Sequence, residues 1–321
     1  MKPGKEAQPT RIASENALAF SGHETFVFRY GWLKKAIDAV ADNPETFVSE
    51  DAMSVLGVGK NMVRSIRYWA LATRVLEEEP KTRGAKLKPT ALGKLLLGSS
   101  GLDPYLEDVN SLWALHWNLS TNERRCTTWC WAFNLPAGND FTRESLEILF
   151  SEELLRRESK VPSENSLGRD IDCFLRTYAT PRDHRNSVLE DSLDCPLVEL
   201  QLLEEDEAPG LFYFRRGEQN TLSDEVFVYA LLDFWQRVAP NRETLAFADI
   251  AYGFASPGSS FKFDENSLVE RLERLEKTTA GSLLYTETAG LKQVYRRRPM
   301  NPLTILEQHC EHAENTVLRG A

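Results

Sequence analysis

The stretch from Phe47 to Leu97 constrains the fold more than any other, because helical and hairpin patterns alternate there at short intervals. Ser49-Glu50-Asp51 supplies a hydroxyl and two acids, residue types that suit the unpaired amides and positive end of a helix start. Ala52, Val55 and Leu56 follow as an apolar face, and Gly57-Val58-Gly59 interrupts it. From Lys60 the pattern restarts, with Val63, Ile66, Trp69 and Ala70 at helical spacing. Lys60, Asn61, Arg64 and Arg67 then fall on or beside an exposed face. Val75-Leu76 and Lys86 to Thr90 flank a turn over Glu78 to Gly84, and Thr90 to Leu97 reads as a closing helix. This order predicts a winged helix-turn-helix, whose second helix enters a major groove while the hairpin touches phosphate. The DNA-contacting set would be Lys35, Lys60, Asn61, Arg64, Arg67, Lys86 and Lys88. A helical hairpin with a solvated basic face is the alternative.

A formal net charge of -10 opposes nucleic-acid binding as a whole-molecule property, so its distribution matters more than its sum. Residues 1–100 hold 15 Lys/Arg against 11 Asp/Glu, a net of +4, which leaves -14 for the remainder. A basic N-terminal domain on an acidic body fits one nucleic-acid face, with other surfaces for metal or protein partners. No run approaches the roughly 18 apolar residues of a membrane span, and the polar start lacks a signal-peptide core, so a cytoplasmic chain without membrane association is expected. The five cysteines are scattered and odd in number, against a disulfide framework. Cys126 and Cys130 lack a second Cys/His pair at zinc spacing.

The expected architecture is mainly α with small β hairpins. Its parts are a flexible 1–16, a winged-helix domain at 17–100, a helical middle with acidic segments at 101–210 and a second winged-helix-like domain at 211–321. In the first of these domains Phe26, Tyr30, Leu33 and Ile37 sit at helical intervals, with His23, Glu24 and Arg29 close together at the front. An imidazole, a carboxylate and a guanidinium in one patch suit metal binding, proton transfer or phosphate clamping, and they are the candidate catalytic residues. Capping bonds and an ordinary ion pair would explain them equally.

The middle carries Trp113, Trp117, Trp129 and Trp131 with His116 among them. Such aromatics stack on unpaired bases or, more commonly at helical spacing, fill a core. Helices are expected over Arg143 to Ser159 and Ser163 to Tyr178, the second burying Leu167, Ile171, Phe174 and Tyr178, with Asp172 pairing Arg176 one turn on. Magnesium takes oxygen ligands, typically one or two carboxylates with water and phosphate. Asp170, Asp191 and Asp194 are the candidate Mg2+ set, against the alternative of solvated loop acids.

Further on, Gly281 to Thr286 and Leu291 to Arg296 alternate as a hairpin after several helices, and Arg296, Arg297 and Arg298 end it where a second wing would meet phosphate. No GxxxxGK[ST] loop, GxGxxG turn, GxSxG elbow or HExxH pair is present, which removes support for ATPase, dinucleotide, serine-hydrolase and zincin readings.

Several segments carry a resemblance spread over nearly the whole chain. Phe20-Ser-Gly-His-Glu-Thr-Phe26 with Arg29, Gly31 to Lys35, Leu56-Gly-Val-Gly-Lys-Asn-Met-Val63, Asp172 to Tyr178, Asp191 to Leu197 and Ser256-Pro257-Gly258 look like an uncharacterised-domain family of bacterial DNA-modification clusters. That family resembles the nickase component of the single-strand DNA phosphorothioation defence system. The resemblance implies double-stranded DNA as substrate and magnesium-dependent nicking of one strand, so that sulfur can replace a non-bridging phosphate oxygen. It also implies cysteine desulfurase and sulfur-transfer partners. It carries over no catalytic motif. A DNA-recognition scaffold without catalysis and a winged-helix transcriptional regulator are the rival expectations.

Overall fold

The computed structural model describes residues 18–135, 138–179 and 195–308. After an irregular N-terminal segment come α1 (Trp32–Asp42), α2 (Ala52–Leu56) and α3 (Lys60–Ala72). The strands β1 (Leu76–Glu78) and β2 (Leu87–Pro89) pair antiparallel, with Leu76 opposite Pro89. Helix α4 (Ala91–Leu97) then packs back on α1. The order helix, turn, helix, hairpin, helix is the one the periodicity predicts.

Gly57 makes the turn possible: it takes φ 66°, a left-handed conformation that costs a side-chain-bearing residue free energy. Val63, Ile66, Trp69 and Ala70 are buried as expected, but two local readings fail. Val55 is 55% exposed, because α2 has only five residues and packs inward through Ala52 and Leu56 alone. Ser49 does not cap α2; its hydroxyl bonds the Asp51 carboxylate instead.

The middle contains α5 (Val109–Ser120), α6 (Thr127–Asn134), β3 (Asp140–Thr142), α7 (Arg143–Arg156) and α8 (Glu164–Tyr178). Thr142 and Ser145 close a reciprocal capping box at the start of α7, and Ser163 caps α8. After the 3-10 turn Pro196–Leu200, β4 (Leu203–Glu205) and β5 (Leu211–Phe214) join β3 in an antiparallel sheet of order β3-β5-β4. The rest comprises α9 (Asp224–Val238), β6 (Thr244–Ala246), α10 (Phe247–Tyr252), α11 (Pro257–Ser260), α12 (Glu265–Glu273), α13 (Leu275–Thr278) and the hairpin β7 (Leu283–Thr288) and β8 (Leu291–Arg296). Its sheet runs β6-β8-β7. The chain is therefore mainly α with small antiparallel sheets, and no described helix is long and apolar enough to cross a membrane.

Trp113, Trp117, Trp129 and Trp131 are all fully buried. Three of their indole N–H groups donate inside the protein, Trp113 to Thr221, Trp117 to Asp233 and Trp131 to Glu123, so this stripe is core rather than a base-stacking platform. His116 bonds Tyr178 and the Ser260 carbonyl, and burial holds it down to about 3, a neutral structural imidazole. One hydrophobic cluster runs from Val27 to Leu306, and the described cysteines Cys126, Cys130, Cys173 and Cys195 are buried thiols within it.

Lys262 is 3% exposed, with its ammonium on the Phe133 carbonyl and 4.0 Å from the Phe214 ring centroid. Burial, reinforced by Arg216, pushes it well below the ordinary lysine range, while the ring face partly offsets that cost. The unfolded chain thus binds a proton that the folded chain resists, so stability rises with pH up to the ordinary lysine value and falls as pH drops below it. Lys262→Met is expected to flatten this slope. Urea midpoints of both proteins across neutral to alkaline pH check it, and parallel curves would refute it.

Candidate nucleic-acid interface

Lys60, Asn61 and Arg64 are exposed on one side of α3, beginning at its first residue. The opposite side is fixed by Ile66, Trp69 and Ala70, none of them accessible, so the polar face cannot rotate inward. No ion pair is formed by Lys60 among the described residues. Lys35 is exposed on α1 and donates to the Leu56 carbonyl at 3.3 Å, which places it at the C-terminal end of α2.

Arg67 is employed differently. Its guanidinium bonds Glu78 at 3.2 Å and the Gly84 carbonyl at 2.9 Å, pinning the β1-β2 turn to α3. Glu78 also takes Arg125 at 2.7 Å, which joins the hairpin to the α5-α6 turn along a cleft of about 410 Å3. Lys86 and Lys88 project from the hairpin and pair with Glu45 at 3.6 Å and Glu77 at 3.2 Å. Both pairs are roughly half exposed, a setting in which such contacts contribute little and exchange readily for another anion.

The Phe20 to Phe26 motif lies beside α3. Its backbone is left-handed at Ser21 (φ 64°), Glu24 (φ 50°) and Thr25 (φ 67°), three costly conformations within five residues. Gly22 sits under the Tyr68 ring of α3, where an added Cβ would lie 2.3 Å from a ring carbon. His23 is buried, and the Thr25 amide donates to its Nδ1 at 3.0 Å. An amide can only donate, so the proton lies on Nε2, which donates to Asp170 Oδ1 at 2.9 Å. Asp170 also accepts from the Ser21 amide at 2.8 Å and the Thr128 hydroxyl at 3.1 Å. Arg176 of α8 holds the Thr25 carbonyl at 2.8 Å. Two segments quoted for the resemblance, 20–26 and 172–178, are thus in direct contact.

The trio His23, Glu24 and Arg29 does not form one chemical group. Both nitrogens of His23 are engaged, and the Arg29 guanidinium lies over Phe26 and Trp32 at 5.8 and 5.6 Å from their centroids. Only Glu24 turns to the α3 face, where Oε1 lies 3.4 Å from Arg64 Nη1. Tyr30 is exposed and Phe26 precedes the helix, since α1 starts at Trp32 and buries Leu33 and Ile37 on a different phase.

Asp170 is 1% exposed, with Oδ1 taken by the Ser21 amide and His23 and Oδ2 by the Thr128 hydroxyl, so most of its acceptor capacity is spent inside the protein. Asp191 and Asp194 lie outside the described residues. Among the described residues no group of three or more His, Cys, Asp or Glu side chains could hold a metal ion. The Asp172 carboxylate pairs with Arg143 at 2.6 Å because α7 packs alongside α8, and the Arg176 side chain reaches only the Asp172 carbonyl, at 3.3 Å.

At the C-terminal hairpin the three arginines are tied to the protein. Arg296 donates to the Pro240 and Arg242 carbonyls at 2.9 Å each and covers the Trp235 ring. Arg297 reaches Glu276 at 3.2 Å, and Arg298 bonds the Ala280 carbonyl. Arg297 and Arg298 are nonetheless exposed, and the Arg297 pair is about as open to solvent as those of Lys86 and Lys88.

Fold and site together define a largely helical protein with small antiparallel sheets and a basic face on α3 beside a loop that holds three non-glycine residues in left-handed conformations. The model of a family described as a protein of unknown function, DUF4007, matches residues 20–310, and the chain belongs to that family. A magnesium ion-bound SspB crystal structure superposes with a TM-score of 0.82 at 31% identity, covering 91% of this chain and 88% of that one. A second SspB crystal structure gives 0.81 at 30% identity with the same coverage. No curated protein matches the sequence. The likeness to SspB places the chain with the Ssp-type phosphorothioation components that its motifs resemble.

Proposed function

We propose that this chain is the DNA-engaging nickase of a phosphorothioation system, gripping duplex DNA through α3 and opening one strand for sulfur incorporation. The observation that carries the reading is the exposed Lys60, Asn61 and Arg64 face on the second helix of a helix-turn-helix followed by a hairpin. In this reading residues 47–97 act as a winged helix: α3 enters the major groove, and Lys86 and Lys88 exchange their glutamate partners for phosphate. Lys35 lies close enough to the α2 end to add a backbone contact. Sulfur-transfer and desulfurase proteins of the same system are the partners, and the cytoplasm is the compartment.

Magnesium dependence is supported by the magnesium ion-bound SspB structure. The described residues of this chain do not build a cage for the ion, since Asp170 is committed to His23, Ser21 and Thr128. His23 is therefore assigned to holding the loop and Arg29 to packing, while Glu24 is the member of the trio that meets DNA.

A supercoiled plasmid incubated with the purified full chain tests the proposal. Open-circular product with Mg2+ and none with EDTA is expected. Duplex binding without any open-circular product would replace nicking with a recognition-subunit role.

A further inference from the structure

We infer that Glu24 is a specificity-determining residue of the α3 face, a fixed carboxylate that stands in for a DNA phosphate against Arg64. The inference rests on the DNA-binding reading above and deepens it.

Glu24 and Arg64 are 40 residues apart in sequence, and their contact exists only because the 20–26 loop is clamped in place. The clamp is unusually complete for an exposed loop. His23 anchors it to Asp170, Arg176 holds the Thr25 carbonyl, and Gly22 fits beneath Tyr68. Tyr68 and Arg64 belong to the same helix, one turn apart, so the loop is registered against the surface that would receive DNA. A non-glycine residue in a left-handed conformation is costly and persists only where its surroundings over-determine it. Here Glu24 and Thr25 both adopt it, and the result is a negative charge beside the exposed cation of α3.

The pair itself is weak: Arg64 is 55% and Glu24 31% exposed, and exposed ion pairs contribute little. Its consequence lies in what a phosphate meets. Arg64 already has an anion beside it, and the clamp keeps the Glu24 backbone next to it, so a DNA phosphate approaching Arg64 must compete with that carboxylate. Non-specific duplexes, which offer only phosphates, gain less from Arg64 than they would without Glu24. A site that adds base contacts through Lys60 and Asn61 compensates the displacement. Glu24 thereby lowers background binding more than target binding.

The test measures affinity of the full chain for a fluorescent duplex of arbitrary sequence by anisotropy, over about 50–200 mM salt, where log K falls with log salt by roughly 0.9 per phosphate neutralised. Glu24→Gln is expected to bind several-fold tighter, with a slope steeper by about 0.9, because Arg64 then joins the count of phosphate contacts. Adding Arg64→Gln should return the slope to that of the unaltered protein. Glu24→Asp, which keeps the charge, should leave the slope unchanged. An unchanged slope in Glu24→Gln, or the same change in Glu24→Asp, overturns the inference. Lys60→Ala separates the two levels: if it weakens binding while Glu24→Gln is silent, DNA binding by α3 stands and the role of Glu24 falls. If both are silent, the DNA-binding reading itself fails.

Discussion

Replacing Asp170 with alanine is expected to destabilise the protein by about 3–5 kcal/mol, the range for removing one partner from a buried charged network. The carboxylate is 1% exposed and serves three donors from two parts of the chain: the Ser21 amide and His23 Nε2 of the 20–26 loop, and the Thr128 hydroxyl of α6. Alanine leaves all three without an acceptor in a region walled by Tyr68 and Trp129, whose rings stand edge-on to His23 at 5.6 and 5.7 Å. Unsatisfied buried donors each cost about 1–3 kcal/mol, so the loss cannot be confined to one bond. Asp170→Asn keeps one acceptor oxygen but turns an amide N–H toward a donor, and an intermediate loss follows. Urea unfolding would show a lower midpoint at an unchanged slope, and proteolysis would accelerate within 20–26 before elsewhere. An alanine variant within about 1 kcal/mol of the parent would mean that the loop is held by something other than this carboxylate.

The double variant Lys60→Glu with Arg64→Glu is expected to lose roughly hundredfold or more in duplex affinity, since the cation of Lys60 is lost and two carboxylates are added to the face that DNA meets. Both side chains are exposed and neither supports the core, so the melting temperature should stay within a few degrees of the parent. Arg67 is deliberately left intact, because it ties Glu78 and the Gly84 carbonyl to α3 and its loss would disturb the hairpin. Affinity equal to that of the parent would remove α3 from the interface. A matching charge reversal at Arg297 and Arg298 is expected to change affinity far less, as those groups lie at the end of the β7-β8 hairpin and not on α3.

Local order was largely legible in the residues. The buried phases of α3 and α8 follow from apolar spacing, and α7 starts at Arg143, where a helix is expected. Failures occurred where an element is too short for its periodicity to bind it, as in five-residue α2, or where a helical phase was extended into a loop, as with Tyr30. The candidate site was legible only as a set of residue types. His23, Glu24 and Arg29 are neighbours in sequence, yet the structure sends one into a buried network, one to α3 and one onto aromatic rings. The pointer that could have separated them was Gly22 beside a histidine, a sign that the backbone comes close to another element.

By itself, then, the sequence determined the helices, the turn at Gly57, the 76–89 hairpin and the cationic face of α3. These depend on interactions within a few residues, which spacing and residue type encode directly. Only the tertiary structure decided which charges remain available to a partner. Asp170 meets His23 across 147 residues, Arg176 meets Thr25 across 151, and Arg296 meets Pro240 across 56. Whether a carboxylate or guanidinium is free to meet a phosphate depends on the donors and acceptors that packing brings within about 3 Å of it, and no local pattern specifies those.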